Sequence, residues 1–165
     1  MIQVAVCGPA ECSAAEEASA REVGALLARS GVVLLCGGYG GVMAAAAEGA
    51  AGAGGLVIGI LSGADRSEAS PHLTACVATG MDQARNSILV GSADAVIAIG
   101  GSWGTLSEVA IAMRRGIRPV VSLSGWQIND ALGNAVPGVV PADSPAAAVR
   151  RALAGQGTWR ADDLR

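Results

Sequence analysis

Short runs of Val, Ile and Leu, several of them ending in glycine, alternate with alanine-rich helical stretches along the chain. This alternation restricts the fold more than any other feature, because a strand, a helix and a second strand in succession make a parallel pair with the helix laid on one face. The clearest unit is Ala95 to Ile99, an uninterrupted apolar run of the kind found in a strand buried on both faces. It leads through Gly100-Gly101-Ser102-Trp103-Gly104 into a helix that reaches Arg115 and is closed by Gly116.

The other units repeat the pattern. Ile2 to Cys7 reads as a strand, and Ser13 caps a helix to Arg29, with Glu16 completing a capping box and Gly31 ending it. Val32 to Cys36 is a second strand and runs into Gly37-Gly38-Tyr39-Gly40-Gly41, after which a helix spans Val42 to Gly52. Leu56 to Leu61 is a third strand, residues 62–71 form a loop, and Leu73 to Val77 is a short fourth strand. A helix opens at Met81 or Asp82 and runs to Val90, and Pro119 to Leu123 is a strand beyond the central unit. A helical turn is expected near Ile128 to Leu132, a last strand over Gly138 to Val140, and a helix from the Ser144-Pro145 cap to Ala154. The expected architecture is α/β: a three-layer, Rossmann-like, doubly wound parallel sheet. A single domain is expected over residues 1–155, followed by a C-terminal tail, 156–165.

Composition removes several functions. All 11 basic residues are arginine, so the chain has neither a lysine for a Schiff base with pyridoxal phosphate nor the lysine of a G-x-x-x-x-G-K-[ST] loop. A net charge of −3 argues against nucleic acid as partner. Charged residues are only 15%, against about 25% in an ordinary domain, which points to a homodimer or higher homo-oligomer covering part of the surface. Strand-like Ile2–Val6 has no basic region and apolar stretch before it, and no apolar run is long enough for a membrane span. A cytoplasmic protein with no membrane partner is the expectation. Cys7, Cys12, Cys36 and Cys76 form no C-x-x-C pair and read as small reduced thiols; with one histidine, His72, neither a metal site nor a resident cofactor is expected.

In a doubly wound sheet ligands bind beyond the carboxyl ends of the strands, where the strand order switches. Three loops fall on that edge: the one at Gly8, the run Gly37, Gly38 and Gly40, and the run Gly100, Gly101, Ser102, Trp103, Gly104 and Thr105. The last two join a strand to a helix, so their glycines allow close backbone approach while the helix N-terminus offers N–H groups to an anion such as phosphate. The same glycines could serve tight turns alone. The dinucleotide fingerprint is missing, since Met43 stands where its third glycine would be. A small phosphorylated ligand fits better.

Two charged residues face this edge. Glu108 has a structural reading, as the last residue of a Thr105-x-x-Glu capping box, beside a chemical one. Arg85 lies near a helix N-terminus, where a cation opposes the dipole unless an anion meets it. Together they could cleave a sugar-phosphate derivative, the carboxylate orienting water or steadying an oxocarbenium-like transition state. Trp103 could stack on a base or close the pocket, whereas His72, Asp94, Asp65 and Glu68 read as ordinary loop or strand-end residues.

The segments Ala84-Arg85-Asn86-Ser87-Ile88-Leu89-Val90 and Ser92 through Glu108, together with Val6-Cys7-Gly8 and Gly37 through Met43, resemble the LOG (Lonely guy) superfamily over about residues 2–123. That superfamily, long labelled as lysine decarboxylases, includes cytokinin-activating phosphoribohydrolases and molybdenum-cofactor carrier proteins. The resemblance implies a Rossmann-like dimer, with Arg85 and Glu108 as the catalytic pair and Gly101 to Thr105 as the phosphate loop. It implies a nucleoside 5′-monophosphate phosphoribohydrolase, releasing a free base and ribose 5-phosphate from a substrate such as AMP. A non-enzymatic carrier of molybdenum cofactor or another phosphorylated pterin, and a nucleotide-sensing module, are the other readings. The phosphoribohydrolases carry P-G-G-x-G-T-x-x-E and a basic residue after the arginine; here Gly100, Ser102 and Asn86 stand at those positions, which brings the chain nearer the carrier-like branch.

Overall fold

The computed structural model describes residues 1–154, so the expected tail lies outside the described residues. Seven strands form one all-parallel sheet: β1 (Gln3–Cys7), β2 (Val33–Cys36), β3 (Val57–Leu61), β4 (Ala75–Ala78), β5 (Ala95–Ile99), β6 (Val120–Leu123) and β7 (Val139–Ala142). Their order across the sheet is β4-β3-β2-β1-β5-β6-β7. The helices are α1 (Ala14–Arg29), α2 (Val42–Gly52), α3 (Asn86–Gly91), α4 (Trp103–Arg115) and α5 (Pro145–Leu153). The first, second and fifth cover one face and α3 with α4 the other, giving the expected three-layer Rossmann-like architecture. All five β5 residues are buried, as a central strand between two helical layers requires.

The order reverses direction at β1: β2 lies on one side of it and β5 on the other, so the loops after β1 and β5 part at their carboxyl ends. This is the crevice in which the candidate residues gather. Helix α1 begins as the sequence indicates, with the Ser13 hydroxyl accepting from the Glu16 N–H and the Glu16 carboxylate accepting from the Ser13 N–H.

Four local expectations change. The helix expected from Met81 or Asp82 is divided into a 3-10 turn, Asp82–Arg85, and α3, and it is entered through Gly80 and Asp82, which both take left-handed backbone angles. No helical turn forms at Ile128–Leu132. The Asp130 carboxylate instead accepts from the Leu132 and Asn134 N–H groups, each at 2.9 Å, and Asn129 bridges antiparallel to Ala135. An aspartate that satisfies local N–H groups in this way competes with helix formation. The fourth and seventh strands each sit one or two residues later than expected.

Helices α1 and α2 approach with almost nothing between them. A Cβ on Gly24 would strike the Ala46 carbonyl, and one on Gly49 would strike the Arg21 carbonyl. Arg21 straddles the same seam, donating to Glu48 at 2.8 Å and to Glu17 at 2.8 Å. Because both obstructions are backbone, they cannot move aside as a side chain would. Gly24→Ala or Gly49→Ala should therefore cost about 1–3 kcal/mol, measured by urea denaturation; a variant as stable as the parent would mean that the helices can separate freely.

Candidate ligand-binding site

Glycine brings three loops together at the carboxyl end of β1. A Cβ on Gly8 would run into the Val42 side chain and the Ile99 carbonyl at 2.8 Å, and one on Gly41 would meet the Pro9 and Ala10 carbonyls. The Val42 N–H donates to the Pro9 carbonyl at 3.1 Å, and Gly41, at φ +59°, turns the chain into α2. Gly38, at φ +79°, presents its carbonyl to the Ser70 N–H, which ties the 62–72 loop to the same corner.

Arg85, at the junction of the 3-10 turn and α3, is only 9% exposed. Its guanidinium lies over Gly37, so close that a Cβ there would collide with both terminal nitrogens and with the Met43 sulfur. Nη1 donates to the Ile60 carbonyl on β3 at 3.0 Å, while Nε has no partner among the described residues. A buried arginine with a spare donor is costly unless something else accepts from it.

Glu108 is 6% exposed and sits in the second turn of α4. The capping reading is overturned: Ser102 is the N-cap, its hydroxyl accepting from the Thr105 N–H at 3.1 Å, so Glu108 lies too far along the helix to cap it. Burial raises the Glu108 pKa from 4.5 to about 6, against the opposing pull of Arg85 and of a hydrogen bond with Cys7. Among the described residues the Arg85–Glu108 pair does not close to within ion-pair distance. Cys7 is pushed well above the ordinary thiol range, first by burial and then by Glu108, and burial takes Cys36 to about 11. Both remain neutral thiols near pH 7.

The N-terminus of α4 faces the same edge. Ser102 engages the Thr105 N–H, and the Trp103 and Gly104 N–H groups are left for an external acceptor. The glycines here divide by role. Gly100 is required by its φ of +63°, with the movable Glu16 carboxyl beside it, whereas a Cβ on Gly101 would strike the Trp126 indole. Around Gly40 and Gly104 the nearest atoms to an added Cβ lie at 3.6 Å, which leaves those two open to a ligand. Trp103 is 79% exposed and meets Trp126 edge-on, with ring centroids 5.2 Å apart.

A sequence profile of the SLOG cluster4 family matches residues 1–149. The chain belongs to the SLOG cluster4 family. An uncharacterized protein of Archaeoglobus fulgidus is 41% identical over 133 residues, 78% of this chain and 87% of that one. Among solved structures, the molybdenum cofactor binding protein of the phototrophic bacterium Rippkaea orientalis superposes with a TM-score of 0.81 at 36% identity, over 90% of this chain and 93% of that one. The molybdenum cofactor carrier protein of Chlamydomonas reinhardtii gives 0.77 at 30% identity, over 93% and 98%.

In this SLOG cluster4 chain the geometry also gives roles to residues outside the expected site. Asn86 is 2% exposed; its Nδ2 donates to the Ser107 hydroxyl at 3.0 Å and its Oδ1 has no partner among the described residues. Ser107 in turn donates to the Gly104 carbonyl at 2.7 Å, so Asn86 braces the first turns of α4 where the resemblance expects a basic side chain. Trp126 lies against Gly101 from a segment without periodicity, and no spacing rule could have indicated it. Asp94 accepts from the Gln3 N–H at 2.8 Å, a strand-end contact outside the site. Among the described residues no group of three or more His, Cys, Asp or Glu side chains is placed to hold a metal ion, and no helix is long and apolar enough to cross a membrane.

The raised pKa of Glu108 has a stability consequence. Protonation favours the folded state, so the contribution is complete below pH 4.5 and is lost as pH rises through about 6. Glu108→Gln should flatten this dependence and exceed the parent in stability at pH 8 by about 2 kcal/mol. Urea denaturation at pH 4.5 and pH 8 measures both; a glutamine variant weaker at pH 8 would mean that the carboxylate is well compensated.

Proposed function

We propose that the chain binds and transfers a phosphorylated pterin of the molybdenum-cofactor class, without turning it over. The observation that carries this reading is Arg85: a buried cation over Gly37, with an N–H that has no partner among the described residues, suits a ligand that brings its own anion. The likeness to two molybdenum-cofactor-binding proteins over at least 90% of the chain supports the choice of a pterin. In that setting Gly40 and Gly104 leave room for the ligand, and the Trp103 and Gly104 N–H groups with Arg85 hold its phosphate. A cytoplasmic homodimer of one Rossmann-like domain, residues 1–155, is the form we propose for it; exposed Val77, Met81 and Ile88 offer apolar area for self-association.

A second reading keeps the LOG-type phosphoribohydrolase, acting on a nucleoside 5′-monophosphate such as AMP. Glu108 favours it, because a carboxyl group with a pKa of about 6 is suited to proton transfer near neutral pH. Against it stand Gly100, Ser102 and Asn86, at positions where the hydrolase pattern has other residues. A sensing role would keep nucleotide binding without turnover.

Thermal melts with molybdenum cofactor and with AMP, followed by recovery of the ligand, separate these readings. At a hundredfold excess over Kd the bound ligand should add about 2.7 kcal/mol, a rise in Tm on the order of 5–10 °C for a chain of this size. Intact molybdenum cofactor on recovery and no adenine from AMP are expected. Adenine release abolished by Glu108→Gln would establish the hydrolase instead, and stabilisation by intact AMP alone would favour the sensor. Gly104→Ala should melt like the parent yet bind the phosphorylated ligand at least about tenfold more weakly, since it adds a methyl group only where ligand would lie; unchanged binding would remove the phosphate from α4.

A further inference from the structure

On the side of α4 away from Arg85, the segment between β6 and β7 encloses a cavity of about 410 Å³. Ligand pockets commonly span about 300–1,000 Å³, so it is large enough for a small molecule. Ser122, Ser124, Trp126, Gln127 and Asn129 supply its polar and aromatic wall, with Ile128, Val136 and Val139 among its apolar residues. No lining side chain is charged. The wall is held in place: the Val136 N–H donates to the Ile128 carbonyl at 2.8 Å, and the Asp130 carboxylate pins the turn beyond it.

The site described above does not use these groups. The Gln127 and Asn129 carboxamides and the Trp126 indole N–H have no partner among the described residues. Trp126 is 45% exposed although it is packed against Gly101 and Trp103. A half-covered indole offers stacking area, and a carboxamide matches the paired donor and acceptor of a cyclic lactam edge. A charged ring would find no counter-ion here. A narrower cleft lined by Gly101, Ser102 and Thr105 shares Ser122, Trp126, Ile128 and Val139 with this cavity, so it adjoins the N-terminus of α4.

We propose that this cavity is the ring site: it takes a flat, uncharged bicyclic lactam, of the pterin or guanine type, stacked on Trp126 and hydrogen-bonded by Gln127 and Asn129. The inference rests on the proposed function in one respect, the phosphate end of the same ligand lying at α4. The ring alone tests it. Isothermal titration calorimetry with pterin and guanosine, neither carrying phosphate, should give binding of both. The tighter of the two lactams identifies the natural ring.

Trp126→Ala should weaken lactam binding at least tenfold. Asn129→Leu, a change at an exposed loop position that leaves the Gly101 contact in place, should weaken it severalfold, while Glu22→Gln, on the exposed side of α1, should leave it within twofold. The inference is overturned if neither lactam binds, if Asn129→Leu binds like the parent, or if Glu22→Gln removes ring binding. Retained ring binding with no response to phosphorylated ligand would break the phosphate reading and leave the ring site standing. The opposite result would do the reverse.

Discussion

Three loops can meet at the end of β1 because no Cβ stands between them. Gly8 lies between a valine side chain and a strand carbonyl, and Gly41 lies against two carbonyls of the β1 loop; both are fixed by packing. Everything on the binding edge follows from that closure. It sets where α2 starts, brings Gly37 beneath Arg85, and puts β5 close enough for its own glycines to turn into α4. In chains with larger residues at these places, the switch in strand order would remain but the loops would stand apart.

The electrostatics of the edge reflect a chain without lysine. A flexible ammonium could follow a phosphate from several directions, whereas Arg85 is a planar group confined by Gly37, Met43 and the Ile60 carbonyl. Its position is therefore set before any ligand arrives. Glu108 shares the buried space without closing into an ion pair, and desolvation outweighs the arginine in setting its pKa. Such a pair is poorly suited to stabilising the fold and better suited to meeting something from outside.

Much of this was legible in the sequence, for identifiable reasons. The parallel sheet followed from apolar runs alternating with helical stretches, and Ser13 with Glu16 marked the start of α1 because capping chemistry is local. Arg85 stood out for a similar reason, its charge being out of place near a helix start. Glu108 was ambiguous since Thr105 and Ser102 are both competent caps, and only the backbone path decides between them. The glycines were read as places of ligand approach; that Glu16 lies beside Gly100 and Trp126 beside Gly101 was not legible, since these contacts are made across many residues of chain that no local pattern encodes. The helical turn expected near Ile128 to Leu132 was a misreading, because the shape of that segment comes from one aspartate side chain and one short bridge.

The hydrogen bond from Arg85 to Ile60 reaches a main-chain carbonyl, and that choice has a mechanical side. Strand β3 carries only the short β4 outside it, so this half of the sheet ends three strands beyond the central β1. A pull on the guanidinium is passed directly to the backbone of β3, with no flexible side chain between to absorb it. The guanidinium thus ties the 3-10 turn to the sheet margin, and the exchange of β3 and β4 amide hydrogens with solvent becomes a gauge of how firmly that tie holds.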